Sequence, residues 1–235
     1  MKSGGYIFEE IKNFLAVNGF INENWNALNI LIQNASTIGG LDLKILKNDF
    51  KNDFSFFKKL KNNKFKLLYL LGSDNINLKK ENEFIIYQGS HGDRGAEIAD
   101  VILPSPTYTE QGGLFENLEG RVQECKKASY PIGDALEDWK IFNLIIKNLN
   151  KTQDLSNFNL LRKEVLNFIP NFSKLNELPV YKDSLNKKNE SEFISEEISI
   201  KELDYFYTNS ISRASKTMSK CRQINQNSKK TGTNN

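Results

Sequence analysis

The chain has little of what metal, redox or membrane chemistry requires. Its two cysteines, Cys125 and Cys221, lie far apart and form no CxxC pair. That excludes a disulfide framework, a four-thiolate iron–sulfur cluster and a structural zinc site built by this chain alone. The single histidine, His91, excludes a multi-histidine metal site, and a buried or turn-forming role is the one expected of it. No run approaches the ~18 consecutive apolar residues of a membrane span. The opening MKSGGYIFEEIKNFL has no apolar core for a signal peptide and carries Glu9 and Glu10, so no import or export signal is visible. From Tyr205 onward there is no Asp or Glu, while Arg213, Lys216, Lys220, Arg222, Lys229 and Lys230 make that end basic. A solvated, partly disordered tail is its default reading, ahead of an acidic protein surface, a nucleic acid or an anionic lipid face.

What is present describes a polar, globular chain. It has 235 residues, 39% of them hydrophobic and 26% charged, with a net charge of +3 and sixteen phenylalanines to build a core. Ile7, Phe8, Ile11, Phe14 and Leu15 predict a helix stopped by Asn18-Gly19. A second helix is expected from Asn24, carrying Trp25, Leu28, Leu31, Ile32 and Ala35 and ending at Gly39-Gly40. Lys44 to Lys64 reads as a short helix and loop.

The run Lys66 to Leu71 suits a central strand covered on both faces. Phe84 to Gln88 and Asp100 to Leu103 are further strands, and this alternation implies an α/β layer arrangement. Asp134 with Glu137 forms a capping pair for a helix striped by Leu136, Trp139, Phe142, Ile145, Ile146 and Leu149. Leu155 to Phe168 is another helix, ended by Pro170, and Asn171 to Glu197 is polar and irregular. Asn209 or Ser210 caps a short helix with the ridge Ile211, Ala214, Met218 and Cys221, leaving the basic residues outside. Disorder is expected from Gln223.

The densest punctuation runs from Tyr87 to Gln123, with glycines at 89, 92, 95, 112, 113 and 120. Gly89-Ser90-His91-Gly92-Asp93-Arg94-Gly95 follows a strand and precedes a possible helical turn at Ala96 to Ala99, as phosphate cradles do. Its spacing is GxxGxxG, however, and neither GxGxxG nor GxxxxGK[ST] occurs. A structural turn is the favoured reading, since Asp93 would repel a phosphate. Ser90, His91 and Asp93 are too close in sequence for triad geometry, and no GxSxG elbow exists. Glu110, Glu116 and Glu119 have no metal-ligand spacing, and Arg121 is expected to pair with Glu119 or anchor its loop. Composition and spacing therefore assign no catalytic, cofactor-binding or metal-binding residue.

YQGSHGDRGAEIADVILPSPTYTEQGGLFENLEGRVQ, at Tyr87 to Gln123, closely resembles the molybdopterin-oxidoreductase-like region of the large iron–sulfur (G-type) subunit of respiratory complex I. NWNALNILIQNAS at Asn24 to Ser36, LYLLGSD at Leu68 to Asp74 and EDWKIFNLI at Glu137 to Ile145 follow the family's order. DYFYTNSISRASKTMSKC at Asp204 to Cys221 resembles the C-terminal signature of its mitochondrial form.

The resemblance implies a partial, Rossmann-like three-layer α/β domain at 1–150, without cofactor. A helical and irregular surface segment at 151–203 would come next, then a docking helix at 204–222 and a disordered tail at 223–235. Nothing here matches the family's N-terminal cluster-binding domains, so the chain resembles the C-terminal piece of a split subunit. Ala99 to Pro104 keeps one stretch that shapes the pterin pocket in true molybdopterin enzymes, whereas Gly113-Leu114-Phe115-Glu116-Asn117 alters the other.

The implied function is a structural, non-catalytic portion of NADH:ubiquinone oxidoreductase. It would sit in the mitochondrial hydrophilic arm on the matrix side, beside other arm subunits and especially the cluster-binding half. No cofactor is expected in this chain; the iron–sulfur clusters belong to that separate partner. Neither nucleic-acid binding nor direct membrane insertion is implied. A molybdopterin-dependent oxidoreductase fragment and an RNA-binding module using the basic tail are the alternatives.

Overall fold

The computed structural model describes residues 2–22, 25–32, 34–45, 62, 65–149, 157–179 and 204–230, with side chains at 7–22, 25–32, 34–45, 62, 65–149, 157–169, 172–179 and 204–227. In chain order the elements are α1 (Lys2–Val17), β1 (Ile21–Asn22), β2 (Trp25–Asn26), α2 (Thr37–Asp42), β3 (Leu67–Leu71), β4 (Phe84–Gly89) and α3 (Arg94–Glu97). They continue as β5 (Val101–Pro104), β6 (Gly113–Glu116), β7 (Val122–Cys125), α4 (Asp138–Asn148), α5 (Phe158–Phe168), a 3-10 turn (Pro170–Ser173), α6 (Ser210–Ala214) and α7 (Lys216–Lys230). They fall into two compact units: residues 1–46, 114–124 and 165–201, and residues 47–113, 125–164 and 202–235.

The second unit is built on a three-stranded parallel sheet in the order β3-β4-β5. Among the described residues Leu67–Leu71 is therefore an edge strand, not the central one expected: Leu68 and Leu70 are buried while Leu67 and Leu71 face solvent. The central strand is β4, where Ile85, Tyr87 and Gln88 are almost fully enclosed. Ile85 and Tyr87 join Leu68 and Leu70 in the core, with Phe65, Ile76, Leu78 and Ile98 packed against them.

Buried Gln88 needs hydrogen-bond partners. It accepts from the Tyr69 hydroxyl and donates to Asp138 Oδ1 at 2.6 Å. Tyr69 also stacks on Phe142 at 5.7 Å, so α4 does pack back on the sheet.

The expected start of α4 is displaced. Glu137 itself occupies the cap position, without a side-chain cap bond, and Leu136 lies outside the helix. Its carboxylate is drawn away from the reciprocal bond with Asp134: it accepts from the Trp139 indole at 2.8 Å and from Lys127 at 3.3 Å.

At the far end of the chain, the single expected ridge helix is two helices. Asn209 caps α6 with a reciprocal capping box through Ser212. Ser215 then turns extended, and its hydroxyl accepts the Met218 N–H at 3.3 Å, starting α7. Serine favours this break because its hydroxyl can cap the next helix. Helix α7 continues through Gln223 to Lys230, where the composition predicts disorder; residues 231–235 lie outside the described ones.

In the first unit, α1 ends as predicted at Asn18-Gly19, with Gly19 at φ 75°. The helix expected from Asn24 does not form. Asparagine side chains compete locally for the backbone: Asn26 Oδ1 accepts the Leu28 N–H at 2.9 Å and opens a turn. Only α2 is helical there, and Gly39-Gly40 lies inside it instead of ending it. The unit's core is Val122, Ile169 and Phe172, supported by Leu43, Leu114, Val165 and Leu166. Helix α5 begins at Phe158, and Pro170 opens the 3-10 turn that continues it. The helix-and-loop expectation for Lys44 to Lys64 lies mostly outside the described residues, as does that for 180–197.

Candidate functional site

In open parallel sheets, ligands bind outside the carboxyl ends of the strands. Here those ends lead into Gly72-Ser73-Asp74 after β3 and Gly89 to Asp93 after β4. The glycine loop wraps a tyrosine. A Cβ on Gly95 would come within 2.6 Å of the Ser73 carbonyl and 2.9 Å of the Tyr87 ring, and one on Gly89 would collide with the Tyr87 hydroxyl. That hydroxyl donates to the His91 carbonyl at 2.8 Å. These two glycines are thus accounted for by close packing.

The same two loops hold an ion cluster. The Arg213 guanidinium reaches Asp74 Oδ2 through Nη2 at 2.6 Å and Asp93 Oδ2 through Nε at 2.6 Å. It also donates to the Tyr207 carbonyl at 3.4 Å. Its side chain is only 15% exposed. Burial pushes the Asp93 carboxyl up, but hydrogen bonds from Arg213 and the Arg94 N–H, with the nearby positive charge, hold it below its usual range. Burial first, then the charges of Asp74 and Asp93, push the Tyr87 phenol up to about 12 despite Arg213.

The predicted residues are distributed as follows. Asp93 caps α3 by accepting the Arg94 N–H at 2.8 Å, so the helical turn starts earlier than Ala96. Ser90 Oγ lies 2.9 Å from His91 Nδ1, but Asp93 is committed to Arg94 and Arg213, so no triad forms. Glu110 accepts the Thr107 N–H at 3.2 Å. Arg121 pairs with Glu119 at 3.5 Å and anchors its loop by donating to the Asn176 carbonyl at 2.6 Å, as expected. Both cysteines are free thiols, and no group of three or more His, Cys, Asp or Glu is placed to hold a metal among the described residues. A cavity of about 340 Å³ beside α4 is walled mainly by Leu103, Pro104, Ile141, Leu144 and Ile145.

Sequence reasoning missed Arg213. It placed the basic residues outside the C-terminal ridge, whereas Arg213 is enclosed and Arg222 pairs with Asp204 at 2.5 Å. No local signal marks a bond across 120 residues.

Against known sequences, the profile of the molybdopterin oxidoreductase family matches residues 1–148. The chain belongs to this family. A second profile, for the C-terminal part of the G-type subunit of NADH-ubiquinone oxidoreductase, matches residues 174–221. Among similar proteins is the NADH-ubiquinone oxidoreductase 75 kDa subunit of Reclinomonas americana, 37% identical over 226 residues, or 94% of this chain and 32% of the relative. The mitochondrial 78 kDa subunit of Candida albicans is 38% identical over 213 residues, 86% of this chain and 28% of the relative. The mitochondrial NADH dehydrogenase [ubiquinone] iron-sulfur protein 1 of Solanum tuberosum is 32% identical over 222 residues, 92% and 28% respectively. This molybdopterin oxidoreductase family chain spans about a third of their length.

The family name implies a pterin cofactor, and the strand-end residues do not fit one. Two carboxylates line the place, and the guanidinium between them is already shared by both. An anionic cofactor would meet two carboxylates there, and Arg213 could receive it only by leaving them.

Proposed function

We propose that this chain is a structural, non-catalytic portion of NADH:ubiquinone oxidoreductase, respiratory complex I, in the hydrophilic arm on the matrix side of the mitochondrial inner membrane. It supports the polypeptide that carries the iron–sulfur clusters, a separate chain corresponding to the N-terminal part of the subunit. It holds no cofactor of its own, and NADH oxidation and electron transfer belong to the assembled complex. The observation that carries the non-catalytic reading is Arg213, which fills the strand-end position with the chain's own C-terminal segment. The family profile at residues 174–221 and the respiratory relatives support the assignment to complex I. No helix among the described residues is long and apolar enough to cross a membrane.

Blue-native electrophoresis of mitochondrial membranes, followed by identification of co-migrating chains, tests the assignment. The chain is expected in the band with NADH dehydrogenase activity, and its absence from that band would sink the proposal. Purified alone, it is expected to oxidise no NADH and to release no fluorescent pterin on denaturation. Stoichiometric iron or molybdenum in that sample would revive a catalytic reading.

A further inference from the structure

The C-terminal segment uses its positive charges in two ways. Its arginines are engaged within the chain: Arg213 is shared by Asp74 and Asp93, and Arg222 is taken by Asp204. Its lysines are not. Lys216 and Lys220 are exposed, and neither joins an ion pair among the described residues.

These two lysines share one face of α7. Lys216, Lys220 and Ile224 succeed one another at i,i+4 spacing, which aligns side chains along a helix. Ile224 is 69% exposed. The half-buried residues of the same turns, Met218, Ser219 and Arg222, lie on the opposite side. The lysine face is therefore the uncovered one.

Composition predicts a solvated tail here, yet the segment is a helix of 15 residues. An isolated helix of that length is marginal in water. Lys216 opens it with no acidic residue in the first turn, so a cation stands at the positive end of the helix dipole. Lys220 follows at i+4, where like charges repel. From Tyr205 to the end no Asp or Glu is available to relieve either. Carboxylates supplied from outside would remove both penalties.

The face itself selects the class of partner. Helix α7 has no aromatic residue on which a base could stack, and two exposed lysines release few counterions from a nucleic acid. Ile224 is the one large apolar side chain on the face, too little to hold it in a bilayer interface. A protein surface with an acidic patch around an apolar spot matches the lysines and Ile224 together.

We infer that the Lys216, Lys220 and Ile224 face of α7 docks an acidic patch on a neighbouring protein subunit, with Ile224 as its apolar contact. The inference rests on the proposed function for the assembly in which it is tested. A photo-crosslinking amino acid replaces Ile224 in the full chain, and the native assembly is irradiated and isolated. Crosslinked peptides are expected to come from another polypeptide and to carry an excess of Asp and Glu.

Lys216→Glu with Lys220→Glu should lower incorporation roughly tenfold, because attraction becomes like-charge repulsion. Lys216→Arg with Lys220→Arg should retain it. Far-UV circular dichroism of the free chain should be unchanged in both, since both lysines are exposed. Crosslinks to RNA, to lipid or to residues 190–202 of this same chain would overturn the inference, and so would normal incorporation of the charge-reversed variant. Either result leaves membership of the complex standing. A wild-type chain that never enters the assembly would overturn the proposed function and this inference with it.

Discussion

Two enclosed acidic sites in this chain solve the same electrostatic problem differently. At the strand ends of the second unit, Asp74 and Asp93 are compensated by a cation brought from Arg213. In the first unit, Glu116 is only 5% exposed, and its Oε2 has no hydrogen-bond donor. Burial, then the neighbouring Asp42 carboxyl, pushes the Glu116 carboxyl up to about 7. One site is compensated by a guanidinium; at the other, burial and the Asp42 carboxyl favour the protonated form of Glu116. A buried carboxylate must find one or the other. The guanidinium is permanent and ties down a distant segment; the proton comes and goes near neutrality.

The largest effect is expected from Arg213→Leu. Removing one partner of a largely enclosed ion cluster strands the others, which costs about 3 kcal/mol. Chemical denaturation should show this loss, together with earlier proteolysis between residues 204 and 222. Arg213→Lys should recover part of it, since a point charge cannot serve Asp74, Asp93 and the Tyr207 carbonyl in one fork. Equal stability of both variants and wild type would mean that the cluster holds nothing.

Next is Gly95→Ala. The added methyl would meet the Ser73 carbonyl at 2.6 Å, a backbone atom that cannot swing aside, so about 2 kcal/mol of overpacking is expected. Gly92→Ala, in the same loop with nothing within 4 Å, is the control and should be near neutral. If the glycines serve a ligand instead of Tyr87, both substitutions should be equally mild.

The pH dependence separates the two sites by sign. Asp93 is held below its usual value, so the Arg213 cluster gains stability as pH rises through the acid range and loses it on acidification through the depressed value. Glu116 is raised, from 4.5 to about 7, so its contribution is full below about 4.5 and is lost as pH climbs to about 7. Glu116→Gln should remove that second slope and raise the midpoint of thermal unfolding at pH 8 more than at pH 5. A variant with an unchanged pH profile would show that Glu116 is not the group behind that slope.

The contrast also explains what can be read from the residues. The parallel sheet and α1 are legible because each repeats its pattern locally: Ile85 and Tyr87 alternate along β4, and Ile7, Ile11 and Phe14 recur at helical spacing. The segment after Asn24 misleads because its apolar spacing is helical while its asparagines prefer turns. β3 reads as central because a continuous apolar run does not reveal which strand ends the sheet. Arg213 and the Glu116–Asp42 pair are illegible for a different reason. Each joins residues far apart in the chain, and the chemistry exists only once packing has excluded water from between them.

The smallest effect sharpens that last point. Arg222 repeats the chemistry of Arg213 nearby in sequence: its Nε lies 2.5 Å from Asp204, and its guanidinium sits 4.6 Å from the Tyr207 ring. Yet both pair members stand in solvent, with side chains 36% and 37% exposed. Water already stabilises such charges, and holding two long side chains together costs entropy. Arg222→Ala should therefore unfold within error of wild type at physiological salt, even though its hydrogen bond is as short as those of the Arg213 cluster. If Arg222→Ala proved as damaging as Arg213→Leu, burial would not be what gives the Arg213 cluster its strength. The C-terminal segment would then be held by α7 as a whole, and not by one residue of α6.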